Sequence, residues 1–556
     1  MQSRMALGEF LSEYLQRAGV SQIFGIPGDL VLRLFDRLGG RRQKMITFSH
    51  EPAVGFAADG FARATGTLGV ACVTYGAGGH NMVNSVAGSY AEHVPILVVS
   101  GGPGEQEYKH GTLIHHQARA IESQLRIYRE VTVAAETIDD PRTAAEKIDD
   151  VVRTLWREQR PGYLEIHRDM VDVKIEVPSA IRKSGSPLEM ERSNAAKVKE
   201  AAREAAERLN QAKKPLVFVG IETFRFKAQK EVLRLCERIG APVMTPILAK
   251  GAVPMDHPLY MGVIGVHSPK SMLARVDEAD LVLQLGCLPT DLGSFPQPAS
   301  GERLICARDK RVDVSLHTFT DVLLRDFARA LLDEKLKAHR EKITYYDNLP
   351  APPKWLSRGK VDARSTQSST VKVAEALHVL NHFLEGRKEY VVVAEAGDML
   401  FAGADVRVGG TASYFAQAFY ASMGFGVPGA IGIEIGTGQR PIVLCGDGAF
   451  QMTGPEIAHA PKHGIRPIVL LMNNGGWGIF RPVVKRHSIL EVPPWPYAEL
   501  AKLWGGEGVR VTNGPDLLAA LEKAHQSDRF CLIEVLLGRS DLSPLSRKYI
   551  RASSRR

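Results

Sequence analysis

The sequence lacks several features that define other classes of protein. Its six cysteines lie far apart and form neither a CxxC pair nor another metal-ligand spacing. This usage is typical of small buried residues in a reducing compartment, and it argues against a disulfide or zinc scaffold. The first residues, MQSRMALGEFLSEYL, have the pattern of an amphipathic helix and lack the apolar segment of a signal peptide. We therefore expect a cytoplasmic protein.

Long apolar runs and continuous basic surfaces are also absent. The longest uncharged stretch, residues 414–433, is interrupted by Pro428 and several glycines. It predicts a tightly packed core helix and turn, and not a membrane span. The net charge is +8, but the positive residues are scattered and not interleaved with aromatic residues. We therefore expect neither a membrane nor a nucleic acid among the partners.

The length and the alternation of patterns predict the fold class. The chain has 556 residues, and single hydrophobic cores stop growing at about 250–300 residues. Strand-like apolar runs alternate with helical segments from end to end, which is typical of α/β architecture with parallel sheets. We predict three doubly wound α/β domains with mainly parallel sheets, at residues 1–180, 190–345 and 365–556.

Two apolar runs in the last third of the chain end in oxygen ligands. The first, in LCGDGAF, stops at Asp447, and the second, PIVLLM, ends in Asn473 and Asn474 after a helix-length crossover. Because this pattern is one βαβ unit, both strands point the same way and their carboxyl ends share the edge where ligands bind. Asp447 and Asn474 can converge there on Mg²⁺, which prefers oxygen ligands and commonly keeps phosphate oxygens in its shell. Backbone N–H groups of Gly446 and Gly448 can bind the phosphate.

This spacing, GDG followed by NN, resembles the cofactor signature of thiamine-diphosphate enzymes. The resemblance covers nearly the whole chain and is to the 2-oxo-acid decarboxylases. It implies pyrimidine-binding, central and diphosphate-binding domains in that order. It also implies that Asp447, the Asn474 side chain and the Gly476 carbonyl hold Mg²⁺. The residues that the resemblance assigns to thiamine diphosphate are Glu51, Ala421, Met423, Gly446, Asp447, Gly448, Ala449, Asn474, Gly476 and Ile479.

Three further stretches resemble the same enzymes and supply candidate catalytic residues. In SHEPAVGFAADGFAR, the resemblance implies that Glu51 contacts N1′ of the aminopyrimidine and promotes loss of the proton from the thiazolium C2. In FGIPGD, Asp29 takes the place of a catalytic aspartate. In LIHHQ, His115 and His116 are implied to orient the substrate carboxylate and relay protons, for which imidazole is suited near neutral pH.

Each of these residues also has a structural alternative. Glu51 could be an acid that favours a helix N-terminus, and Asp29 could be a helix cap. The adjacent histidines His115 and His116 could be a chance pair. Met423, in FYASMGFG, takes the place of the residue that bends the cofactor, and ordinary core packing is the alternative.

One position departs from the pattern of pyruvate and indolepyruvate decarboxylases. Those enzymes typically carry a catalytic glutamate six positions after the second asparagine, and this chain has Phe480 there. Such a change lowers the local polarity, which favours loss of CO₂ from a charged substrate. The absence of this glutamate and the stretch DMLF at residues 398–401 resemble the phenylpyruvate decarboxylase branch. Trp477 and Phe480 predict a pocket for an aryl or long side chain, unless both rings only pack the following helix.

The resemblance implies a non-oxidative decarboxylase that converts 2-oxo acids to the aldehyde and CO₂ through the ylid of thiamine diphosphate. Phenylpyruvate or indole-3-pyruvate is the favoured substrate. The alternatives are pyruvate or branched-chain 2-oxo acids, a carboligase that forms 2-hydroxyketones, and a cofactor-binding protein without turnover. The same resemblance implies that Glu51 of one chain meets the diphosphate site of another. We therefore expect a homodimer as the minimum assembly and a homotetramer as the complete one.

Overall fold

The computed structural model describes residues 3–40, 42–110, 113–265, 268–291, 301–346, 348–357 and 369–553. The chain forms two compact units. The first unit comprises Met1–Glu191, Val427–Gly438 and Thr453–Ile465, and the second comprises Arg192–Gly426, Gln439–Met452 and Arg466–Arg556. The predicted start of the third domain, residue 365, lies outside the described residues. The three domain boundaries stay predictions.

The first unit contains a six-stranded parallel sheet and a separate antiparallel pair of strands. The strands are β1 (Ser3–Ala6), β2 (Gln22–Gly25), β3 (Lys44–Thr47), β4 (Gly69–Val73), β5 (Ile96–Gly102), β6 (Ala134–Ile138), β7 (Gly162–His167) and β8 (Lys174–Val177). The helices are α1 (Leu7–Arg17), α2 (Leu32–Leu38), α3 (Glu51–Thr65), α4 (Ala77–Ala91), α5 (Glu105–His110), α6 (Ser123–Val131), α7 (Ala144–Glu158) and α8 (Ser179–Lys183). The main sheet has the strand order β3-β2-β4-β5-β7-β6, and β1 pairs with β8.

The second unit contains two sheets, one of seven strands and one of six. The strands of its central sheet are β9 (Pro215–Val219), β10 (Val243–Pro246), β11 (Tyr260–Ile264), β12 (Leu281–Leu285), β13 (Leu304–Arg308), β14 (Arg311–Val314) and β15 (His317–Thr320). Its helices are α9 (Ala195–Gln211), α10 (Glu222–Arg225), α11 (Gln229–Ile239), α12 (Lys270–Asp277) and α13 (Leu324–Asp333). The order is β11-β10-β9-β12-β13-β14-β15, in which only β14 and β15 are antiparallel to their neighbours.

The last sheet is parallel throughout, with the order β17-β16-β18-β19-β21-β20. Its strands are β16 (Tyr390–Ala394), β17 (Tyr414–Ala416), β18 (Arg440–Gly446), β19 (Ile468–Asn473), β20 (Glu507–Val511) and β21 (Cys531–Leu536). The helices of this part of the chain are α14 (Lys354–Ser357), α15 (Val373–Leu384), α16 (Asp398–Gly403), α17 (Gly426–Thr437), α18 (Asp447–Thr453), α19 (Ala460–His463), α20 (Tyr497–Leu503), α21 (Gly514–Gln526) and α22 (Pro544–Ser553). Short 3₁₀ turns lie at Ile247–Ala249, Gly301–Arg303, Gly454–His459, Gly478–Phe480 and His487–Leu490.

The predicted fold class, three doubly wound α/β domains with mainly parallel sheets, is confirmed. Both faces of the central strands are buried, and every residue of β4, β5, β9 and β12 is buried. Such strands need no alternation of polar and apolar residues, which explains their continuous apolar runs. All six cysteines are described and free. No helix within the described ranges is both long enough and apolar enough to cross a membrane.

Two segments differ from the predicted helices. The crossover between β18 and β19 is divided into α18, a 3₁₀ turn and α19, because Gly454 and Pro455 interrupt the helix and Pro461 prevents its continuation. The uncharged stretch at residues 414–433 begins with the strand β17 and only then enters α17. Its glycines permit close helix packing, since a Cβ on Gly432 would lie 2.0 Å from the Ala57 carbonyl of α3.

A buried ionic network joins α3 to α4 inside the first unit. Arg63 of α3 is hydrogen-bonded to Asp59 one turn earlier, and it donates to Glu92 at the end of α4 over 2.8 Å. The hydroxyl of Ser89 donates to Asp59 over 2.7 Å. All four side chains are buried. Removing the guanidinium would take its positive charge away from two buried carboxylates, which is far more costly than losing an exposed ion pair.

We predict that Arg63→Leu lowers the free energy of unfolding of the first unit by about 3–5 kcal/mol. Urea unfolding followed by fluorescence measures the change. Arg42→Leu is the control, because Arg42 pairs with Glu13 over 2.8 Å on the surface and its loss should cost less than about 1 kcal/mol. Equal effects of the two substitutions would contradict the role given to the buried network.

Candidate active site

The carboxyl ends of β18 and β19 bring the predicted metal ligands to the same level of the last sheet. Gly446 pairs with Met472 in the parallel register, so Asp447 and Asn473 leave the sheet side by side, and Asn474 follows. A cavity of about 200 Å³ lies at this edge. It is lined by every residue of the second unit that the sequence assigns to cofactor or metal, namely Ala421, Met423, Gly446, Asp447, Gly448, Ala449, Asn474, Gly476 and Ile479.

The donor set at this edge fits a hydrated cation. Asp447 is buried, and burial raises its pKa to about 6, although the backbone N–H groups of Gly448, Gly476 and Gly475 act in the opposite direction. The Asn474 Oδ1 atom is also buried and has no hydrogen-bond partner among the described residues. A carboxylate and an unpartnered amide oxygen that are both withdrawn from water are the ligands that Mg²⁺ prefers.

The neighbouring asparagine is used differently. Asn473 Nδ2 donates to Glu534 Oε1 over 2.7 Å, and Asn473 Oδ1 accepts the Gly475 N–H over 3.1 Å. Both ends of its amide are therefore occupied by the protein. This supports the choice of Asn474 and not Asn473 as the predicted metal ligand.

Two glycines at this edge permit close approach of the backbone. Gly476 has a φ of 140°, and a Cβ there would lie 1.9 Å from the Leu490 carbonyl oxygen. A Cβ on Gly448 would lie 2.7 Å from the Trp477 ring. A side chain at either position would therefore displace a wall of the cavity.

Glu395 is a residue of this site that the sequence reasoning missed. It follows β16, is buried, and accepts the N–H groups of Gly424 over 3.1 Å and Gly426 over 2.7 Å. These bonds hold the loop that carries Met423 against the cavity. Burial raises the pKa of Glu395 to about 7, and the backbone donors act in the opposite direction. Its signal was an acid directly after the apolar run YVVVA, the same pattern that identified Asp447.

The structure brings three predicted catalytic residues together in the first unit. His115 Nε2 is hydrogen-bonded to Asp29 Oδ2, His116 Nε2 lies 3.6 Å from Asp29 Oδ1, and the two imidazole rings are 4.8 Å apart. Thr74 Oγ1 donates to Asp29 Oδ1 over 3.4 Å. Burial alone would raise the pKa of Asp29, but the His115 hydrogen bond, the Leu30 N–H and the charges of both histidines hold it below its usual value.

Glu51 lies at the same edge of the first sheet. It is the first residue of α3, and its Oε2 accepts a hydrogen bond from Asn81 Nδ2 over 2.7 Å. A Cβ on Gly78 would lie 3.2 Å from Thr74 Cγ2 and 3.7 Å from Glu51 Oε1. Glu51 and Thr74, the residue that follows β4, therefore both lie beside Gly78, and Thr74 is bonded to Asp29. Asn81, which orients Glu51, was not predicted from the sequence.

Comparison with known proteins identifies matches along the chain. The N-terminal TPP binding domain of thiamine pyrophosphate enzymes matches residues 5–123. The central domain of these enzymes matches residues 202–334, and their C-terminal TPP binding domain matches residues 395–535. The first match contains Glu51, Asp29 and both histidines, and the third contains all predicted metal ligands.

Curated proteins are similar over nearly their full length. The indole-3-pyruvate decarboxylase of Azospirillum brasilense is 35% identical, with 99% of each chain covered. Pyruvate decarboxylase isozyme 3 of Saccharomyces cerevisiae is 29% identical over 96% of each chain. Pyruvate decarboxylase 1 of Pisum sativum is 28% identical over 97% of this chain and 91% of its own.

The two neighbouring asparagines provide a matched test of the metal site. We predict that Asn474→Ala weakens Mg²⁺-dependent binding of thiamine diphosphate by about 10–100-fold, because a hydrogen bond or ligand to a charged group contributes roughly 1.5–3 kcal/mol. Asn473→Ala should instead lower the free energy of unfolding by about 1–3 kcal/mol, since it leaves buried Glu534 without one donor. Calorimetric titration and urea unfolding measure the two effects. The reverse assignment, with Asn473→Ala as the binding-deficient variant, would contradict the site.

Proposed function

The chain belongs to the thiamine pyrophosphate enzyme family and is a thiamine-diphosphate-dependent 2-oxo-acid decarboxylase, and from this premise we propose that its preferred substrates carry an aryl group. Indole-3-pyruvate and phenylpyruvate are the favoured candidates. The observation that carries the proposal is Phe480, which lines the cavity beside the predicted metal ligands while 49% of the residue is exposed. The Phe480 ring can therefore contact a ligand, because it is not buried in the core.

Other walls of the cavity support an apolar substrate. Trp477 packs on Gly448, and Met399 and Met472 also line the space. Aromatic rings that pack against each other gain about 0.5–1.5 kcal/mol beyond the burial of their area. The similarity to an indole-3-pyruvate decarboxylase also supports an aryl substrate for this apolar cavity.

Pyruvate is the second candidate substrate, because two of the relatives described above are pyruvate decarboxylases. Branched-chain 2-oxo acids lie between the two in size. A carboligase that forms 2-hydroxyketones remains the alternative reaction. Product analysis separates them, since a decarboxylase releases the free aldehyde and a carboligase joins it to a second carbonyl.

The residues of the chain have distinct roles in the proposed reaction. Bound thiamine diphosphate supplies a carbon nucleophile and an electron sink. Asp447, Asn474 Oδ1 and the Gly476 carbonyl would hold Mg²⁺ for its diphosphate. Glu51, oriented by Asn81, would bind the aminopyrimidine of the cofactor.

The Asp29–His115–His116 cluster provides both charge and protons. The histidines can donate hydrogen bonds to the substrate carboxylate, and Asp29 orients the His115 imidazole. This cluster would supply the proton that release of the aldehyde requires. Phe480 provides no proton at its position, but its ring excludes water and lowers the polarity around the departing carboxylate.

We further propose a cytoplasmic homotetramer built from homodimers, in which Glu51 of one chain completes the diphosphate site of a second chain. Exposed apolar side chains lie near both groups of site residues, and they support contact with a second copy of the chain. Leu113, two residues from His115, is 81% exposed, and Leu32 is exposed close after Asp29. Val483 and Ile489 are exposed beyond Phe480. A second copy that covers these side chains would remove their apolar surface from water.

A substrate panel tests the proposed specificity. We predict that kcat/KM for indole-3-pyruvate and phenylpyruvate exceeds that for pyruvate by at least about tenfold, since apolar pocket contacts of about 1–3 kcal/mol discriminate 10–200-fold. Phe480→Ala should reduce this ratio, and Leu503→Ala, an exposed change outside the cavity lining, should leave it unchanged. Detection of released CO₂ and aldehyde measures kcat/KM for each substrate in the wild type and in both variants. A preference for pyruvate in the wild type would remove the aryl assignment.

Mixing two inactive variants tests the shared site. We predict that Glu51→Gln and Asp447→Asn are each inactive as homodimers. A hybrid dimer of the two contains one intact site if Glu51 and Asp447 of a site come from different chains, and it should have about half of the wild-type activity. Co-expression with two affinity tags yields the hybrid. A hybrid without activity, formed from chains that bind each other normally, would place both residues of a site on the same chain.

A further inference from the structure

A buried polar network lies directly behind the histidine cluster and has no part in the reaction as described so far. Its central residues are Gln124 of α6 and Glu165 of β7, and neither is accessible to solvent. Fully buried glutamine and glutamate side chains are uncommon, and they remain buried only when hydrogen bonds compensate their lost hydration. The position of this pair within the fold therefore requires an explanation.

One end of the network is a closely connected group of hydrogen bonds. Gln124 Nε2 donates to Tyr163 OH over 2.6 Å, to Ser100 Oγ over 2.9 Å and, more weakly, toward Glu165 Oε2 over 3.5 Å. Tyr163 OH in turn donates to Glu165 Oε2 over 2.7 Å. Burial raises the pKa of Glu165 to about 7, against the effect of these donors. The amide orientation of Gln124 is thus determined by its neighbours, since its N–H₂ group faces only acceptors.

The other end of the network reaches the backbone beside His116. Gln124 Oε1 accepts the N–H of Gly76 over 2.7 Å. Gly76 has a φ of 67°, and a Cβ there would lie 2.0 Å from the His116 carbonyl oxygen. His116 itself has a φ of 69°, a conformation that a residue with a side chain adopts only when its surroundings impose it.

The same turn also reaches Asp29. It begins at Thr74, two residues before Gly76, and Thr74 Oγ1 donates to Asp29 Oδ1. The turn of residues 74–76 therefore contacts the catalytic cluster at two points. The Gln124 amide binds its Gly76 N–H from below, and the buried Tyr75 hydroxyl anchors the same turn by donating to the Ile121 carbonyl over 2.7 Å.

We propose that Gln124 and Glu165 are positioning residues, which fix the turn of residues 74–76 and, through it, the strained backbone of His116 and the carboxylate of Asp29. Glu165 accepts hydrogen bonds from Tyr163 and, more weakly, from Gln124. Gln124 in turn accepts the Gly76 N–H. The inference rests on the proposed function, because it assigns the network to the histidine cluster of that reaction. Neither residue touches the reacting atoms.

A matched control exists within the same unit. Gln43 is also a buried glutamine with both ends of its amide bonded, to Ser12 Oγ over 2.7 Å and to the Ser12 carbonyl over 2.9 Å. It precedes β3 and therefore lies at the amino edge of the sheet, opposite the cluster. Loss of either glutamine should lower stability, but only loss of Gln124 should affect catalysis.

The first experiment compares Gln124→Leu with Gln43→Leu in the full-length protein with cofactor. Gln124→Leu should lower kcat/KM for the preferred 2-oxo acid by about a hundredfold, as expected when a reacting geometry shifts by about 1 Å. Gln43→Leu should change kcat/KM by less than about threefold at a similar loss of thermal stability. Equal kcat/KM values for the two variants would overturn the proposal.

Exchange of the Gln124 amide and the Glu165 carboxylate tests whether the hydrogen bonds of the network, and not only its polar composition, are required. Gln124→Glu alone brings two carboxyl groups together and removes the donor to Tyr163, so activity should fall as for Gln124→Leu. In the double variant Gln124→Glu/Glu165→Gln the polarity of the network is reversed. The new amide can donate to Tyr163 OH, Tyr163 OH can donate to the new carboxylate, and that carboxylate still accepts the Gly76 N–H. Recovery of activity in the double variant supports the proposal, and activity no higher than in the single variant contradicts it.

Chemical modification of the two histidines tests the positioning role without any measurement of enzymatic activity. Carbethoxylation of His115 and His116 by diethyl pyrocarbonate, followed by mass spectrometry of the cofactor-free protein, reports the exposure and hydrogen bonding of each imidazole. Gln124→Leu should change the ratio of the two rates several-fold, and Gln43→Leu should not. If wild-type protein releases no CO₂ from any 2-oxo acid, the proposed function fails, and this ratio still decides the positioning role. Unchanged ratios in Gln124→Leu would refute it.

Discussion

Burial of the parallel strands places most candidate ligand residues of this protein where a strand leaves its sheet. The strands concerned, such as β4 and β18, are buried along nearly their whole length, so a charged group within them would lose its hydration on both faces. Asp447 and Asn474 at the last sheet, and Asp29 and Thr74 at the first, follow this constraint. The chemistry of the molecule is therefore concentrated at the carboxyl edges of two sheets.

The same constraint makes the proposed metal site unfavourable without a ligand. Asp447 and Asn474 Oδ1 are withdrawn from water, and the Asn474 oxygen has no partner among the described residues. Burial of such groups is unfavourable unless a partner compensates it. Binding of a cation and a diphosphate supplies that partner, so cofactor binding should also stabilise the folded chain. Glu395, which holds the Met423 loop, prepares the opposite wall in advance.

The sequence allowed prediction of the fold class and of most residues at these edges, because strand ends and their ligands are local signals. Asp447 and Asn474 each follow directly on an apolar run, and register then brings them level. Glu395 had the same signal and was overlooked. Gln124 and Glu165 could not have been identified, since their role depends on hydrogen bonds between residues 41 positions apart and on contact between Gly76 and His116. Phe480 was predicted to face the pocket, and it lines the cavity.

A crystal structure of the protein with thiamine diphosphate and Mn²⁺ in place of Mg²⁺ tests the central claim most directly. We expect one anomalous peak within about 2.5 Å of Asp447, Asn474 Oδ1 and the Gly476 carbonyl, with diphosphate oxygens in the remaining positions. The competing position is the Asp29–His115–His116 cluster, whose ligand atoms lie within 4.8 Å of one another. A peak at that cluster and none at Asp447 would contradict the account.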